Sequence, residues 1–559
     1  MAGCQTFAVL ALSFIAPLSA TEEHAFMCKE PSNGQLRVAY SADACATPHR
    51  IAHVTFQNDV NKTGWAKVEV ESFAEGATEE EQAFSAGYLE GQLTRTLIAD
   101  TIANQVTGYC KGTERYCGRL GKFFARNLLW LKRRIRLTPT HTIFKQAKLL
   151  LYQLAGLQDA YLGRNETRPH MHVSSFEMLL LQANGDLMDL EQALGRPSWV
   201  ARGSELMRPS CSALIRPFYD ETGGDGGDLA ISHVTWGTYS GMLRVQKLYK
   251  LAFATAGGRR VHAYTQSGYP GMLASLDDFY VSSAKLVITE TTNEIYNKQL
   301  FARFRPTGII LSWMRAPISV RLARTASEWV TIYRKFNSGT YNNQWMALDY
   351  NLYNLGFPLP NWNLLYILES VPGRTVARDV TQILKQQTYW PSYNIPYTTE
   401  IFNASGQPSK VAQFGDWFTY DKCPRARIFK RDHAKVVDMA SLMRLMRYND
   451  FKHDPLSVCD CTPPYSGENG ISARCDLNPS NGTYPFENLG FRCHGATDLK
   501  ATTSRLAESL QFVALSGPTN VQQPTFRWST SECRSKMHNG HPDTFNFEPV
   551  IYNWTLLAN

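Results

Sequence analysis

The sequence predicts a mixed α+β fold, with helical text first and strands after it. Three observations carry that prediction. Apolar residues recur at three- and four-residue intervals between about Glu79 and Leu194. The texture then changes at an exposed-looking connector, Arg202-Gly-Ser-Glu-Leu-Met-Arg-Pro-Ser. Immediately beyond it, two strand-like runs flank a cluster of glycines and aspartates, the pattern of a β-hairpin.

From the amino end, an apolar run from Phe7 to Leu18 is followed by Ser19-Ala20-Thr21 and then acids. This is the layout of a cleaved secretory signal over residues 1–20, although its first residues carry no Lys or Arg. In the helical region, the segments from Phe84 to Leu93 and from Phe144 to Leu154 show the period most plainly. Arg119 to Arg136 holds seven basic residues interleaved with Phe123, Phe124, Leu128, Leu129 and Trp130, and no acid occurs between Glu114 and Asp159. Two readings compete for that segment. One is a membrane-surface helix, and the other, adopted here, is a core-packed amphipathic helix with a solvated basic face.

The hairpin comprises Cys211-Ser-Ala-Leu-Ile-Arg-Pro-Phe, a turn from Asp220 to Asp228, and Leu229-Ala-Ile-Ser-His-Val-Thr-Trp. Folding it near Gly223 and Gly224 brings Cys211 within a residue or two of the stretch from His233 to Trp236. Further strand-like runs are Arg260–Thr265, Leu286–Thr291, Met346–Tyr350 and Leu364–Glu369, while Val320–Lys335 and Thr375–Gln386 read as helical.

The chain of 559 residues is 44% hydrophobic, so a large core is available, in one layered unit or in roughly two to four domains. Charged residues are only 19%, which argues against a disordered polyelectrolyte. A net charge of +8 is mild for this length; it suits transient contact with an anionic membrane surface and does not suggest a nucleic-acid partner. No stretch after the leader approaches the ~18 apolar residues of a spanning helix.

Setting aside Cys4 in the leader and Cys211 leaves ten cysteines, an even set that reads as disulfides of an exported protein. Cys28 with Cys45 and Cys110 with Cys117 are natural short closures, and Cys459, Cys461, Cys475 and Cys493 cluster in a loop-rich stretch. That cluster lacks paired C-x2-C spacing, so disulfides are preferred to zinc. Glycosylation acceptor sequons occur at Asn61, Asn165, Asn403, Asn481 and Asn553. A secreted or lysosomal destination is the consistent expectation.

Cys211, outside the even set and opening a strand, is the candidate nucleophile, with His233 nearby to position or activate it. Read alone, each has a bland alternative as a buried thiol or a scaffold imidazole. Further motifs run in order along the chain: Cys211-Ser-Ala-Leu-Ile, His233-Val-Thr-Trp-Gly-Thr-Tyr-Ser-Gly, Leu276-Asp-Asp-Phe-Tyr, Glu290-Thr-Thr-Asn, Asn337-Ser-Gly-Thr-Tyr-Asn-Asn-Gln, Tyr389-Trp-Pro-Ser-Tyr-Asn and Pro424-Arg-Ala-Arg-Ile-Phe. Through them the text from Pro209 to about Pro549 resembles the phospholipase B-like family.

The resemblance implies a four-layer αββα sandwich on the N-terminal-nucleophile plan, with a largely helical N-terminal portion. It implies self-cleavage between Ser210 and Cys211, giving chains 21–210 and 211–559 that stay associated. The freed amine of Cys211 would then serve as its base, Trp236 would line the site, and Asn394 and Arg425 would hold the oxyanion. Glu290, Thr291 and Asn343 are further candidates, Thr291 and Asn343 as substrate-binding residues. The expected substrate is a lipid fatty acyl ester; a linear N-acyl amide and a lysosomal lipid-binding role are the alternatives. No metal or organic cofactor is implied, and the glycines from Gly223 to Gly227 open no helix that would cradle a phosphate.

Overall fold

The computed structural model describes residues 21–45, 49–165, 168–197, 210–218, 227–254 and 263–555. The leader, the connector and the middle of the hairpin turn lie outside these residues. Among the described residues the fold is a mixture of helices and two large sheets, as the sequence predicts.

The first sheet has eleven strands, from Arg374–Asp379 at one edge to Leu36–Ala39 at the other. Its members pair antiparallel except at one seam, where Trp65–Ser72 runs parallel to Arg244–Lys250. The second sheet is built on the predicted hairpin, Ser210–Pro217 with Leu229–Thr238, flanked by Trp390–Ser392 on one side and by Asp498–Thr503 and Val513–Ser516 on the other. Cys211 sits opposite Thr235 and Ala213 opposite His233, so the predicted proximity of thiol and imidazole holds.

Alternation of side chains along the strands divides the core. On the large sheet, Ile288, Ala347 and Leu368 face the helices, while Val287, Met346 and Ile367 face the other way and meet Ala213, Ile215 and Ile231 of the small sheet. The small sheet's opposite face, with Leu214, Val234 and Trp236, packs on Ile428, Phe429, Leu442 and Met446 of helices Pro424–Asp432 and Met439–Met446.

The helical stretch is where the period places it. Helix Glu79–Leu93 starts with a capping box, in which Glu81 N donates to Thr78 Oγ1 at 3.2 Å and Thr78 N donates to Glu81 Oε2 at 2.9 Å. Helix Glu114–Leu137 buries Leu120, Phe123, Phe124, Leu131 and Ile135 and leaves its basic face outside, as the core-packed reading expects. No helix among the described residues is long and apolar enough to cross a membrane.

Three expectations need correction. The N-terminal portion is not largely helical throughout, because Glu23–Lys29, Leu36–Ala39, Arg50–Asp59 and Trp65–Ser72 are strands of the large sheet. Their text was hard to recognise because both faces are covered, which erases simple alternation in Arg50–Asp59. Thr375 to Gln386 is a strand, Arg374–Asp379, followed by a short helix, Thr381–Gln387. The turn at Gly373, with φ at 80°, sends the chain back to pair with Leu365–Val371.

The even set of ten cysteines also fails. Disulfides join Cys28–Cys45, Cys110–Cys117, Cys459–Cys461 and Cys493–Cys533, while Cys423 and Cys475 are free and buried. Cys423 packs in the core, and Cys475 donates to Glu468 Oε2 at 2.8 Å beside the Arg492 guanidinium, so each thiol is accommodated without a bridge.

Helices Glu79–Leu93 and Thr142–Tyr161 approach so closely that glycine is required at the crossing. A Cβ on Gly156 would lie 2.1 Å from Phe84 O, and one on Gly87 would lie 1.8 Å from Gln153 O. Gly156→Ala should therefore force the helices apart and lower stability by about 1–3 kcal/mol, read as a shift in urea midpoint. An unchanged midpoint would contradict this packing.

Candidate active site

The site forms where the hairpin strand opens. Cys211 is fully buried, and its side chain lies on the face turned toward the large sheet. Its Sγ, a ring nitrogen of His233 and a carboxylate oxygen of Glu290 all lie within 4.8 Å of one another, with Sγ 3.8 Å from Glu290 Oε1.

The backbone of Cys211 is held from other directions. Its N–H donates to Asn394 Oδ1 at 3.0 Å, and its carbonyl accepts from Arg425 Nη1 at 2.6 Å. Arg425 Nη1 also donates to Asn394 Oδ1 at 2.8 Å, so the three groups form one closed unit. Asn394 reaches this position from the turn after Trp390–Ser392, with φ at 68°, a left-handed conformation that asparagine tolerates better than most residues. Its Nδ2 donates to Thr292 O at 2.7 Å, and its own N–H donates to Thr291 Oγ1 at 3.3 Å. Arg425 is set in the first turn of helix Pro424–Asp432, with proline at the helix start and its guanidinium stacked 4.2 Å from the Trp236 ring.

Thr291 is thus beside the site, tied to Ser392 Oγ at 2.6 Å. Trp236 is fully buried; it backs Arg425 and donates to Ile471 O at 3.2 Å, and it does not reach the cavity wall. Asn343 pairs with Thr292 across the strands, but its side-chain amide makes no hydrogen bond among the described residues, and it does not border the cavity. That cavity, of about 490 Å³, is lined by Ser210, Thr292, Asn394, Cys423 and Arg425 on one side, and by Glu468, Arg492 and His494 on another. Ser210 therefore borders the cavity, while Cys211 is fully buried behind it. The five sequon asparagines are all exposed.

Sequence reasoning missed the charges beneath the site. Arg244, Asp277, Asp498 and Lys500 are fully buried and mutually paired: Arg244 with Asp277 and, at 2.5 Å, with Asp498, and Lys500 at 2.9 Å with each aspartate. Asp498 Oδ1 accepts from the N–H of Thr235, the residue opposite Cys211. Asp277 lay within a motif already singled out, but its partners Arg244 and Lys500 lie 33 and 223 residues away in sequence, and no local signal joins them.

The electrostatics follow from burial. Burial and then the neighbouring Glu290 carboxyl push the Cys211 thiol well above its ordinary range. Burial, with Lys500 next, holds the His233 imidazole well below its own, favouring the neutral ring. Burial and then Asp278 push the Glu290 carboxyl well above the usual carboxylate range. Asp277 resists burial because Arg244 and Lys500 hold it below the usual carboxylate range. Its neighbour Asp278 is pushed up to about 7 by burial, with Asp277's charge adding to the effect.

Among the described residues, two sets bring a thiol, an imidazole and a carboxylate within 4.8 Å, Cys211–His233–Glu290 and Glu468–Cys475–His494, and either has donor types that zinc accepts. In the second, Arg492 Nη2 already lies 2.8 Å from Glu468 Oε2, a cation in place against the carboxylate.

The family model of Phospholipase B matches residues 52–552. "Putative phospholipase B-like 2" of Bos taurus is 42% identical over 539 residues, 94% of this chain and 89% of that protein. The Homo sapiens protein of the same name is 43% identical, over 91% and 86%. "Putative phospholipase B-like 1" of Caenorhabditis elegans is 40% identical, over 98% and 96%. Among solved structures, penicillin V acylase from Agrobacterium tumefaciens aligns with a TM-score of 0.28 at 11% identity, over 55% of this chain and 83% of that one, a likeness too slight to argue from.

Asp278 gives a pH signature of known sign. A carboxyl whose folded pKa is raised to about 7 binds its proton more tightly folded than unfolded, so it costs stability as pH rises from about 4 to about 7. Asp278→Asn removes that dependence. The variant should gain on wild type across this window, by up to about 4 kcal/mol, in denaturant titrations at each pH. A constant difference would show that Asp278 is not held protonated.

Proposed function

The chain belongs to the phospholipase B family, and from that premise we propose that it is an N-terminal-nucleophile hydrolase. In this reading it cleaves itself before Cys211 and then hydrolyses fatty acyl esters of glycerophospholipids. The layered packing, helices on the large sheet, sheet on sheet, and helices on the small sheet, supports reading the fold as the αββα plan.

One observation carries the proposal. The group gripped by Asn394 and Arg425 is the main chain of Cys211, its N–H above all. A structural thiol needs no such hold on its backbone nitrogen. A residue whose nitrogen becomes a catalytic amine does.

In self-cleavage, the Cys211 thiol gives up its proton to a neighbouring base, for which neutral His233 is placed. The sulfur attacks the Ser210 carbonyl carbon, the C–S bond forms, and the C–N bond breaks with a proton going to the leaving amine. Water then attacks the thioester, releasing the Ser210 carboxylate and the free thiol. In turnover the amine of Cys211 takes the thiol proton, and the sulfur attacks the ester carbonyl. The alcohol leaves, and water frees the fatty acid. Asn394 and Arg425, which hold the Cys211 main chain, are assigned to oxyanion stabilisation, each worth about 3 kcal/mol of barrier by analogy with similar donors.

The large sheet takes strands from both sides of Cys211, which supports continued association of chains 21–210 and 211–559 after a cut. The disulfides and the exposed sequons support passage through the secretory pathway, with glycans at Asn61, Asn165, Asn403, Asn481 and Asn553.

The test is intact mass and N-terminal sequencing of protein from a secretory host at acid pH. Wild type should yield a fragment beginning at Cys211, and Cys211→Ala should stay whole. Processed wild type should then release fatty acid from phospholipid esters faster than from N-acyl amides. Uncut wild type would sink the nucleophile assignment. Cutting followed by amide-selective turnover would move the substrate, and cutting without turnover would leave a lipid-binding role.

A further inference from the structure

The helix Glu114–Leu137 lies away from the site, and its outer face is chemically unusual. Lys122, Arg126, Arg133 and Arg136 are exposed on it, and among the described residues no carboxylate pairs with any of the four. The nearby acids Glu79 and Glu80 are already taken by Lys145, at 2.8 Å, and by Lys148. On the same side, Leu129 is 71% exposed and Leu137 56% exposed. Half-buried Trp130 lines an adjoining groove of about 920 Å³ whose walls include Ile135, Phe144, Leu149 and Met171.

At 100° per residue, Arg126, Leu129, Trp130, Arg133, Arg136 and Leu137 fall on one stripe of the helix, opposite the buried Leu120, Phe124, Leu131 and Ile135. The inner face is thus satisfied by the core, while the outer face mixes unpaired guanidinium groups with apolar side chains held in water. Cations alone would suit any polyanion. Exposed leucines and an amphipathic tryptophan between them suit a partner that is anionic at its surface and apolar just beneath.

We propose that this stripe docks the protein onto an anionic lipid bilayer. Arg126, Arg133 and Arg136 meet the headgroup phosphates, and Leu129, Trp130 and Leu137 enter the boundary with the acyl chains. This is a peripheral contact, since the helix's inner face stays committed to the core. The +8 net charge adds long-range attraction that salt screens.

Vesicle co-sedimentation tests it directly. Wild type should bind phosphatidylcholine vesicles that contain phosphatidylserine, bind phosphatidylcholine alone weakly, and come off as salt rises. Arg126→Glu/Arg133→Glu/Arg136→Glu should lower affinity for the anionic vesicles on the order of a hundredfold or more. Leu129→Ser should lower it several-fold while leaving retention on heparin unchanged. All four positions are exposed, so melting temperatures should match wild type. Hydrogen exchange on wild type adds a check without mutation, since anionic vesicles should protect residues 122–137. The proposal is overturned if the triple variant binds anionic vesicles like wild type, or if exchange in that helix does not change. It is also overturned if Leu129→Ser binds like wild type while heparin retention depends on the arginines, which would point to a polyanion.

Discussion

Four buried charges, on Arg244, Asp277, Asp498 and Lys500, constrain everything around the hairpin. Each is expensive to bury alone, and removing one partner from such a set typically costs about 3–5 kcal/mol. They are tolerable only while the two sheets hold one mutual position, because Arg244 belongs to the large sheet and Asp498 and Lys500 to the small one. Asp498 also accepts from Thr235, so the strand opposite Cys211 is fixed by the same cluster. Its field reaches the chemistry too: the Lys500 ammonium adds to the burial that keeps His233 neutral, and it partly offsets what burial and Glu290 do to the thiol.

Strand alternation then separates two jobs. The side chain of Cys211 points between the sheets toward His233 and Glu290, while its main chain is held by Asn394 and Arg425 at the edge of the cavity. Three segments far apart in sequence converge on a single residue. None of them depends on the hairpin turn, which explains how a long glycine- and aspartate-rich tip is compatible with an undisturbed strand pairing.

How much of this was legible in the sequence varies with the range of the interaction involved. The hairpin was legible because a turn and its two strands are one local pattern, and its register was legible only to within a residue or two. Helices Glu79–Leu93 and Thr142–Tyr161 were legible because their period is long and regular. Asn394, Arg425 and Thr291 were legible only through family resemblance, since nothing near Asn394 says that its amide meets a nitrogen 183 residues earlier. Strands Arg50–Asp59 and Arg374–Asp379 were missed for opposite reasons. The first is covered on both faces and loses its alternation, and the second is an edge strand whose charged residues mimic a helix surface. Cysteine parity misled because burial, which spacing does not report, satisfies Cys423 and Cys475 without a bridge.

Strands Trp65–Ser72 and Arg244–Lys250 come from opposite sides of Cys211, yet they lie side by side and parallel within the large sheet. An unbroken chain makes that seam by closing a loop upon itself. Two separate chains would have to find it by collision, each carrying an unpaired strand edge while it searched. A cut before Cys211 would therefore act like a ratchet, with assembly on one side of it and no easy return from the other. The mature molecule's shape would be a memory of having once been continuous. Its endurance under heat or acid would then be governed by how slowly it comes apart rather than by any equilibrium with its pieces.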